Sequence, residues 1–287
     1  MPELPEVEVV RKGLSGILLG KKVLSVEVIN LGSVIGDLTS IVGAKVKKIR
    51  RFGKMLVLDF DNNCSAMVHL RMTGQLIFRD AKQKQTFAGG HPTKSFYGEL
   101  PDKSTRVVFE FKIGKLFFND QRKFGFVKIA PTSEVEEENF VRRLAPEPFE
   151  QKNYRTILEN LRRRSGSPIK AALLDQHVIA GLGNIYADES LWLVKINPLT
   201  KIGQLSDDKL LGLIKFAAEV MDESIALSGT SFSTFKHIDG GEGKYFDKAR
   251  AYGRAGQRCQ RCGTALQKIK VAGRGATFCP KCQKELR

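Results

Sequence analysis

The first residues of the chain carry groups that could attack an electrophilic carbon. Removal of Met1 would leave Pro2 with a free secondary amine, next to the carboxylates of Glu3 and Glu6. An α-amino group has a pKa near ~8, well below that of a lysine amine, so a useful fraction is nucleophilic at neutral pH. Pro5 and Glu6 also suit the first turn of an ordinary helix. The pattern predicts a nucleophilic amine, which a retained Met1 would block, with a plain helix start as the alternative.

Four of the five cysteines have the spacing of a zinc site. They form two Cys-x2-Cys pairs sixteen residues apart: Cys259, Cys262, Cys279 and Cys282. Two such pairs close around one tetrahedral ion and leave no position for water, so the predicted zinc is structural and supports a small β-hairpin. Disulfides or unconnected thiols are the alternative, which an intracellular chain disfavours. The fifth cysteine, Cys64, is predicted to be a free thiol without function.

A second candidate site is the glycine-rich segment Gly181-Leu182-Gly183-Asn184, which precedes a predicted helix over Ile185 to Leu193. Glycines let a phosphate come close to the backbone, and a helix N-terminus adds positive potential. An ordinary capped turn between helices is the alternative. The segment predicts a phosphate contact with Asn184 at or near the N-cap.

The charge of the chain favours a nucleic-acid partner. The 287 residues include 47 Lys and Arg against 31 Asp and Glu, a formal net charge of +16. Residues 243–287 hold twelve of these basic residues against two acidic ones, interleaved with aromatic residues such as Tyr252. Such a surface follows a phosphate backbone, whereas a solvated basic face or a membrane surface is the weaker alternative. No run approaches the ~20 apolar residues of a membrane span, so we expect a cytoplasmic protein.

The elements that must position these residues fall into a β half and a helical half. After a leading helix, short alternating segments predict an antiparallel sandwich or barrel. These segments fall within residues 22–130 and include Val23 to Ile29, Lys45 to Ile49, Met55 to Phe60, Ser65 to Leu70, Arg106 to Phe111 and Leu116 to Asn119. A loop is predicted over Lys82 to Asp102, and prolines and acidic residues interrupt the pattern over 131–150. From Tyr154 to about Leu227 the apolar residues recur at helical spacing.

Several short motifs occur in one order along the chain. They are Pro-Glu-Leu-Pro-Glu at 2–6, Gly53-Lys54, His69-Leu70-Arg71-Met72-Thr73-Gly74, Asp120-Gln121-Arg122-Lys123-Phe124-Gly125, Pro168-Ile169-Lys170, Leu174-Asp175-Gln176, the segment from Gly181 to Ala187, and the four cysteines with Gly273-Arg274-Gly275. With these motifs the chain resembles formamidopyrimidine-DNA glycosylase, a bacterial base-excision family for oxidised purines, nearly end to end. The sister family, endonuclease VIII, usually has glycine in place of Leu4 and prefers oxidised pyrimidines, so Leu4 favours the purine family.

The resemblance implies an α+β fold. It comprises an N-terminal two-sheet β-sandwich with a leading helix, a C-terminal helix-two-turn-helix domain and a zinc finger, with double-stranded DNA in the cleft between. On this basis we predict a catalytic β-sandwich domain over 1–133, a linker over 134–150, a helical domain over 151–242 and a zinc-finger module over 243–287. We expect a monomer.

The resemblance also implies a mechanism and roles for single residues. Pro2 would attack C1′ of a flipped-out damaged nucleotide and form an iminium, from which β,δ-elimination removes both flanking phosphates. Glu3 is the candidate general acid at the sugar ring oxygen, and Glu6 orders the amine and the helix. Lys54 and Arg274 complete the predicted catalytic set.

The remaining predicted residues bind DNA. His69 and Asn184, together with Lys54 and Arg274, are placed on phosphates around the flipped nucleotide. Three residues match the void-filling triad of the family, in which Arg122 faces the orphaned cytosine and the apolar pair wedges the stack: Met72, Arg122 and Phe124. Lys170 and Tyr252 are further predicted DNA contacts. The segment Ser228 to Tyr252 matches the region of the loop that covers the flipped base.

Two other functions stay open at this point. An endonuclease VIII-like enzyme would share the amine and act on pyrimidines. A catalytically silent protein that binds damaged DNA would keep the basic surface and the zinc finger and form no covalent intermediate. The intact Pro2, Glu3 and Lys54 argue against the silent protein.

Overall fold

The computed structural model describes residues 1–81, 86–229 and 245–285. Contacts within the chain divide it into two compact units. One unit comprises Met1–Arg142 with Ile225–Phe246, and the other comprises Arg143–Ser224 with Asp247–Arg287. The predicted boundary between residues 242 and 243 falls outside the described residues.

Helix α1 (Leu4–Leu18) opens the first unit, as predicted. Its apolar stripe, which includes Val7, Val10 and Leu14, is buried in the core. The helix packs closely on the sheet because glycines face it, since a Cβ on Gly89 would lie 2.3 Å from a methyl group of Val10. The close approach fixes the middle of α1 against the strand that contains Gly89.

Ten strands form two five-stranded sheets around one core. They are β1 (Val23–Val28), β2 (Val34–Ile35), β3 (Val46–Phe52), β4 (Met55–Phe60), β5 (Cys64–His69), β6 (Gly74–Asp80), β7 (Thr86–Gly90), β8 (Thr105–Phe111), β9 (Gly114–Asp120) and β10 (Phe126–Pro131). The strand orders are β1-β8-β9-β6-β7 and β2-β10-β5-β4-β3. All pairs are antiparallel except β2 with β10. The two-sheet sandwich and the six strands predicted from alternation are confirmed.

The prediction of a loop over Lys82 to Asp102 is wrong in part, because regular structure occupies the middle of this range. Strand β7 lies there and pairs with β6, and a short 3-10 helix follows at Lys94–Phe96. The error has a physical reason, because Gly89 and Gly90 look like turn formers in the sequence. In the fold they allow the sheet edge to meet α1, and a Cβ on Gly90 would lie 2.3 Å from the carbonyl oxygen of Gly74.

Helices dominate the second unit, as the spacing of apolar residues predicted. A short helix α2 (Asn139–Arg142) ends the first stretch of the first unit. There follow α3 (Tyr154–Arg162), α4 (Ile169–Leu173), α5 (Asn184–Leu193), α6 (Asp207–Ala226) and α7 (Tyr245–Lys248). The chain ends in a hairpin of β11 (Gln267–Val271) and β12 (Arg274–Phe278), which lies between the cysteine pairs as predicted. Across the described residues, no helix combines the length and apolar character of a membrane span.

Candidate functional site

The N-terminus of α1 brings the candidate amine together with two carboxylates. Pro2, Glu3 and Glu6 are buried, while Met1 is 41% exposed. Glu6 accepts a hydrogen bond from the backbone N–H of Glu3 at 2.9 Å, the reciprocal half of a capping box. Glu6 therefore orders the start of the helix, and with it the direction of the preceding amine. Chemistry at that amine would take place beside both acidic groups.

Lys54 is tied to α1 through a chain of polar contacts. Glu8 of the helix pairs with Arg51 at 3.0 Å, and Arg51 donates to the carbonyl of Gly53 at 2.9 Å. Gly53 has φ +53 in the turn between β3 and β4, a conformation that favours glycine. Burial acts to raise the pKa of Glu8, but hydrogen bonds from Arg11 and Arg51 outweigh it and the pKa is lowered. The ionised Glu8 thus holds the turn that carries the buried Lys54.

His69 at the end of β5 is a neutral hydrogen-bond donor. Its Nδ1 accepts the backbone N–H of Arg71 at 3.0 Å, so the proton of the neutral ring lies on Nε2. Burial, with the charges of Arg71 and Lys54, lowers the pKa of His69 to about 3. The ring packs edge-on against Phe140 at 5.0 Å between centroids. His69 can therefore offer a phosphate one N–H without a charge.

The neutral state of His69 makes stability depend on pH. In the unfolded chain a histidine has a pKa near ~6.5, while His69 has about 3 in the folded protein. Only the unfolded chain takes up the proton between these values, so the stabilising contribution is full above pH 6.5 and is lost as the pH falls toward 3. We expect a loss of roughly 2 kcal/mol between pH 7 and pH 5. Urea unfolding measures it, and His69→Gln should show a flatter profile. Equal profiles would contradict the assignment.

The predicted void-filling residues lie on two loops of the first unit. Met72 is half-buried between β5 and β6, and Arg122 and Phe124 are exposed between β9 and β10. Phe124 is 55% exposed, and the guanidinium of Arg122 lies 4.9 Å from its ring centroid. Because Phe124 is exposed, it contributes little to the core. Its ring, stacked on an arginine, is suited to insertion between nucleic-acid bases.

In the second unit, Asn184 begins helix α5 and Gly183 is the N-cap. The turn before it is braced by Gln176, which donates to the carbonyl of Leu182 and accepts the N–H of Gly181, both at 2.9 Å. Gly181 has φ +86. Among the residues that the structure describes, the buried Oδ1 of Asn184 has no hydrogen-bond partner. Because Oδ1 is an acceptor, it cannot itself bind a phosphate, and the donors at this turn are the amide N–H2 group of Asn184 and the backbone N–H groups of the first helical turn.

The structure contradicts the prediction that Lys170 contacts DNA. Its side chain has no exposed surface, and its ammonium bonds Asp188 of α5 at 2.5 Å and the carbonyl of Gly275 in β12 at 2.7 Å. The other oxygen of Asp188 accepts the N–H of Thr277 at 2.9 Å. Burial raises the pKa of Asp188 to about 6, against the opposing effect of Lys170. Lys170 thus joins helices α4 and α5 to the hairpin that carries Arg274. Its role is to position that hairpin rather than to bind DNA.

Loss of the Lys170 charge should strongly destabilise the second unit. Lys170→Met would leave the carboxylate of Asp188 buried without its cation, which costs about 3–5 kcal/mol. Lys128→Met is the matched control, because it breaks the more exposed pair with Glu138 and should cost less than about 1 kcal/mol. Denaturant unfolding of both variants measures the difference. Equal costs would contradict this role for Lys170.

A buried carboxylate that the sequence did not reveal organises the segment around Tyr252. Glu189 accepts the backbone N–H groups of Arg250, Ala251 and Tyr252, each at 2.8 Å. Burial raises the pKa of Glu189, although these hydrogen bonds oppose it. Its one sequence signal is the acidic pair it forms with Asp188 in an otherwise buried helix. Tyr252 itself is half-buried, and a role in DNA binding stays a prediction.

The four cysteines form a metal centre. Their sulfur atoms all lie within 4.8 Å of one another, and a tetrahedral ion with Zn–S of ~2.3 Å would place them ~3.8 Å apart. The backbone N–H of Cys282 points at Cys279 Sγ, 3.4 Å away, as suits a thiolate ligand. The set can bind one zinc ion, and with four sulfur ligands that ion is structural.

The zinc knuckle also contacts helix α5 of the same unit. Arg261, which lies between the first two cysteines, stacks on Trp192 with its guanidinium 3.7 Å from the ring centroid. It donates to the carbonyls of Trp192 and Leu193 at the end of the helix. Trp192 further packs against Cys259 and Cys279. Metal binding is therefore coupled to the helix that Asn184 begins.

Arg274 is presented by a tight turn. Ala272 has φ +46 and Gly273 has φ +78, the backbone of a two-residue type I′ hairpin between β11 and β12. Arg274 follows this turn and is exposed. Its guanidinium is available for an anion.

Three family models match the chain. They are the formamidopyrimidine-DNA glycosylase N-terminal domain over residues 1–127, the formamidopyrimidine-DNA glycosylase H2TH domain over 144–236, and the zinc finger found in FPG and IleRS over 256–284.

Full-length relatives agree. Formamidopyrimidine-DNA glycosylase of Desulfitobacterium hafniense is 34% identical over 288 residues, which cover 99% of this chain and 100% of the relative. A mutant Lactococcus lactis FPG solved with DNA containing Fapy-dG is 33% identical, with a TM-score of 0.85. MutM solved with DNA containing carbocyclic 8-oxo-G is 34% identical, with a TM-score of 0.84. Each of these two covers 99% of this chain and 100% of its own.

The fold and these matches define a DNA glycosylase with a zinc finger. The chain belongs to the formamidopyrimidine-DNA glycosylase family, as the resemblance in the sequence predicted.

Proposed function

We propose that this enzyme removes oxidised purines, namely 8-oxoguanine and formamidopyrimidines, from double-stranded DNA and cuts the strand at the resulting abasic site. The observation that carries the proposal is the Pro2 amine beside the two buried carboxylates of Glu3 and Glu6. Relatives solved with Fapy-dG and carbocyclic 8-oxo-G DNA support the choice of lesion, as does the buried Leu4 in the first turn of α1.

The chemistry starts at the amine. After loss of Met1, the nitrogen of Pro2 attacks C1′ and displaces the damaged base, while Glu3 donates a proton to the ring oxygen as the sugar opens. The resulting iminium acidifies the C2′ proton, so the 3′ phosphate leaves by β-elimination. The 5′ phosphate then leaves by δ-elimination, and hydrolysis of the last iminium frees Pro2.

Side chains from both units would bind the DNA backbone. In the first unit, Lys54 supplies a charge and His69 supplies a neutral Nε2–H. In the second, Asn184 and the exposed Arg274 are the phosphate ligands. Such contacts fix the register of the protein on the strand. The triad of Met72, Arg122 and Phe124 would fill the void left by the flipped nucleotide, at an unstacking cost of roughly a few kcal/mol.

The base-covering segment predicted over 228–252 lies outside the described residues for its central part, 230–244. Its two described ends meet, because the N–H of Tyr245 donates to the carbonyl of Gly229 at 3.1 Å. A Cβ on Gly229 would lie 3.5 Å from a carboxylate oxygen of Glu6. The two residues that flank the stretch 230–244 therefore meet near Glu6 in the first turn of α1, which supports a role for this stretch over the flipped base.

The proposal includes the domain bounds, the oligomeric state and the cellular location of the enzyme. We propose a catalytic domain over 1–133, a linker over 134–150, a helical domain over 151–242 and a zinc-finger module over 243–287. We further propose that the enzyme works as a monomer on chromosomal DNA in the cytoplasm.

Strand cleavage of defined duplexes tests the function. The protein without Met1 is incubated with DNA that carries either 8-oxoguanine opposite cytosine or an oxidised pyrimidine. We expect faster cleavage at 8-oxoguanine, with phosphates on both ends of a one-nucleotide gap. Preference for the pyrimidine would support the endonuclease VIII-like alternative instead. Tight binding of abasic-site DNA with no cleavage of either lesion would support the silent binder.

A further inference from the structure

One buried carboxylate holds both loops that carry the void-filling residues. Asp120 ends strand β9 and is 1% exposed. Its Oδ1 accepts the hydroxyl of Thr73 and, at 3.1 Å, the backbone N–H of Arg122. Its Oδ2 accepts the N–H of Gly125 at 2.6 Å. The hydroxyl of Thr73 also accepts the N–H of Arg122 at 3.1 Å, so the three groups form one network.

These contacts lie next to every residue proposed to enter the DNA stack. Met72 precedes Thr73, Phe124 precedes Gly125, and Arg122 is itself bonded. The strand register adds a constraint, since Asp120 pairs with Gly74. The network therefore fixes both loops relative to each other at their roots.

The second loop also packs tightly against the strand that ends in the proposed phosphate ligand. A Cβ at position 125 would lie 2.9 Å from the carbonyl oxygen of His69, so only glycine fits at this position. Phe126, the next residue, pairs with His69 in the sheet. Through Gly125 the carboxylate of Asp120 thus links the wedge to the phosphate contact.

We propose that Asp120 is a positioning residue for lesion recognition, which holds the wedge of Met72, Arg122 and Phe124 in its inserting geometry before DNA arrives. The proposal rests on the proposed function of this site. Ordering the two loops in advance removes an entropic cost that insertion would otherwise carry. The lower entropic cost should strengthen binding to a damaged or abasic site, where the wedge replaces a base. It should not change binding to undamaged DNA that is held by phosphate contacts alone.

The substitution Asp120→Asn tests this role with little change in shape. An asparagine amide keeps one acceptor and turns its N–H2 group toward backbone donors, so at least one charge-assisted hydrogen bond is lost. The probe is a duplex with a tetrahydrofuran abasic analogue opposite cytosine. We expect its affinity to fall about tenfold, with affinity for undamaged duplex changed less than about twofold. Fluorescence of 2-aminopurine beside the lesion should report a smaller fraction of inserted wedge.

Asp59→Asn is the matched control. Asp59 is likewise a buried carboxylate in the sandwich, bonded to Arg50 at 2.7 and 3.0 Å and to Ser65 at 2.7 Å, away from both loops. It should cost stability and leave lesion affinity within about twofold. If Asp120→Asn does not fold, Thr73→Val removes the shared hydroxyl with a similar shape and should lower lesion affinity about threefold.

A double-mutant cycle separates positioning from general stability. If Asp120 acts through the wedge, Asp120→Asn should cost less than about twofold in lesion affinity once Phe124→Ala and Arg122→Ala are already present. The same loss in both backgrounds, equal losses on lesion and undamaged DNA, or no loss at all would overturn the proposal. The probe carries no base to excise, so these outcomes stay readable even if the cleavage assay refutes the proposed chemistry.

Discussion

Any residue left in front of Pro2 is expected to lower strand cleavage at 8-oxoguanine by at least about a thousandfold. The extension converts the proline nitrogen into an amide, whose lone pair is delocalised into the carbonyl and cannot attack C1′. The measurement is single-turnover cleavage by one preparation before and after a protease removes an N-terminal extension to expose Pro2.

The same preparation supplies its own control for that result. Affinity for the abasic analogue should change far less than the cleavage rate, because the phosphate and wedge residues are untouched. Full cleavage by the extended protein would show that another group is the nucleophile. Equal loss of binding and cleavage would show that the extension blocks DNA rather than chemistry.

Loss of the zinc ligand Cys279 is expected to unfold the finger and, with the phosphate contact of Arg274 lost, to lower DNA affinity by at least about a hundredfold. A structural zinc site of this kind contributes about 10–16 kcal/mol to folding of its module, and the hairpin with Arg274 lies between its ligands. Cys279→Ser should remove zinc from the purified protein and weaken the coupling to α5. Trp192 reports that coupling, since it is the one tryptophan of the chain and packs against Cys259 and Cys279.

Zinc content, tryptophan emission and DNA affinity together measure this prediction. Cys64→Ser is the control, because Cys64 lies in β5 of the other unit and outside the metal cluster, and it should change none of the three. A Cys279→Ser protein that keeps its zinc and its emission would contradict the four-cysteine site.

Much of the fold was predictable because its strands are short apolar or alternating segments between recognisable turns. Met55–Phe60 was predicted with its observed bounds. Strand β7 was missed because Gly89 and Gly90 carry a tertiary signal, the close approach of α1 and β6, that a local pattern cannot contain. Strand β6 lies inside the stretch 22–130 that was predicted to be β-rich, but it was not named as a strand, since it starts within a motif that was interpreted for function.

In the candidate site, too, the sequence revealed only those residues that have a local signature. Residues at chain ends, glycine turns and cysteine pairs have local signatures, so Pro2, Asn184 and the zinc ligands could be named from the sequence. Asp120 lies in a quoted motif and Glu189 in an acidic pair, but neither local signal reveals the distant partners through which they act, which lie up to 63 positions away in the chain. Lys170 shows the converse error, because a lysine in a DNA-binding motif was assigned to DNA although its partner is Asp188 inside the fold.

Borohydride trapping detects the proposed iminium between Pro2 and the opened sugar. Protein free of Met1 is mixed with duplex DNA carrying 8-oxoguanine opposite cytosine, and borohydride is added to reduce any iminium to a stable amine. We expect a covalent protein–DNA adduct whose DNA is attached to Pro2, a much weaker adduct with Pro2→Gly, and slower formation with Glu3→Gln. No adduct from a protein that has lost Met1 and still binds this DNA would contradict the iminium mechanism.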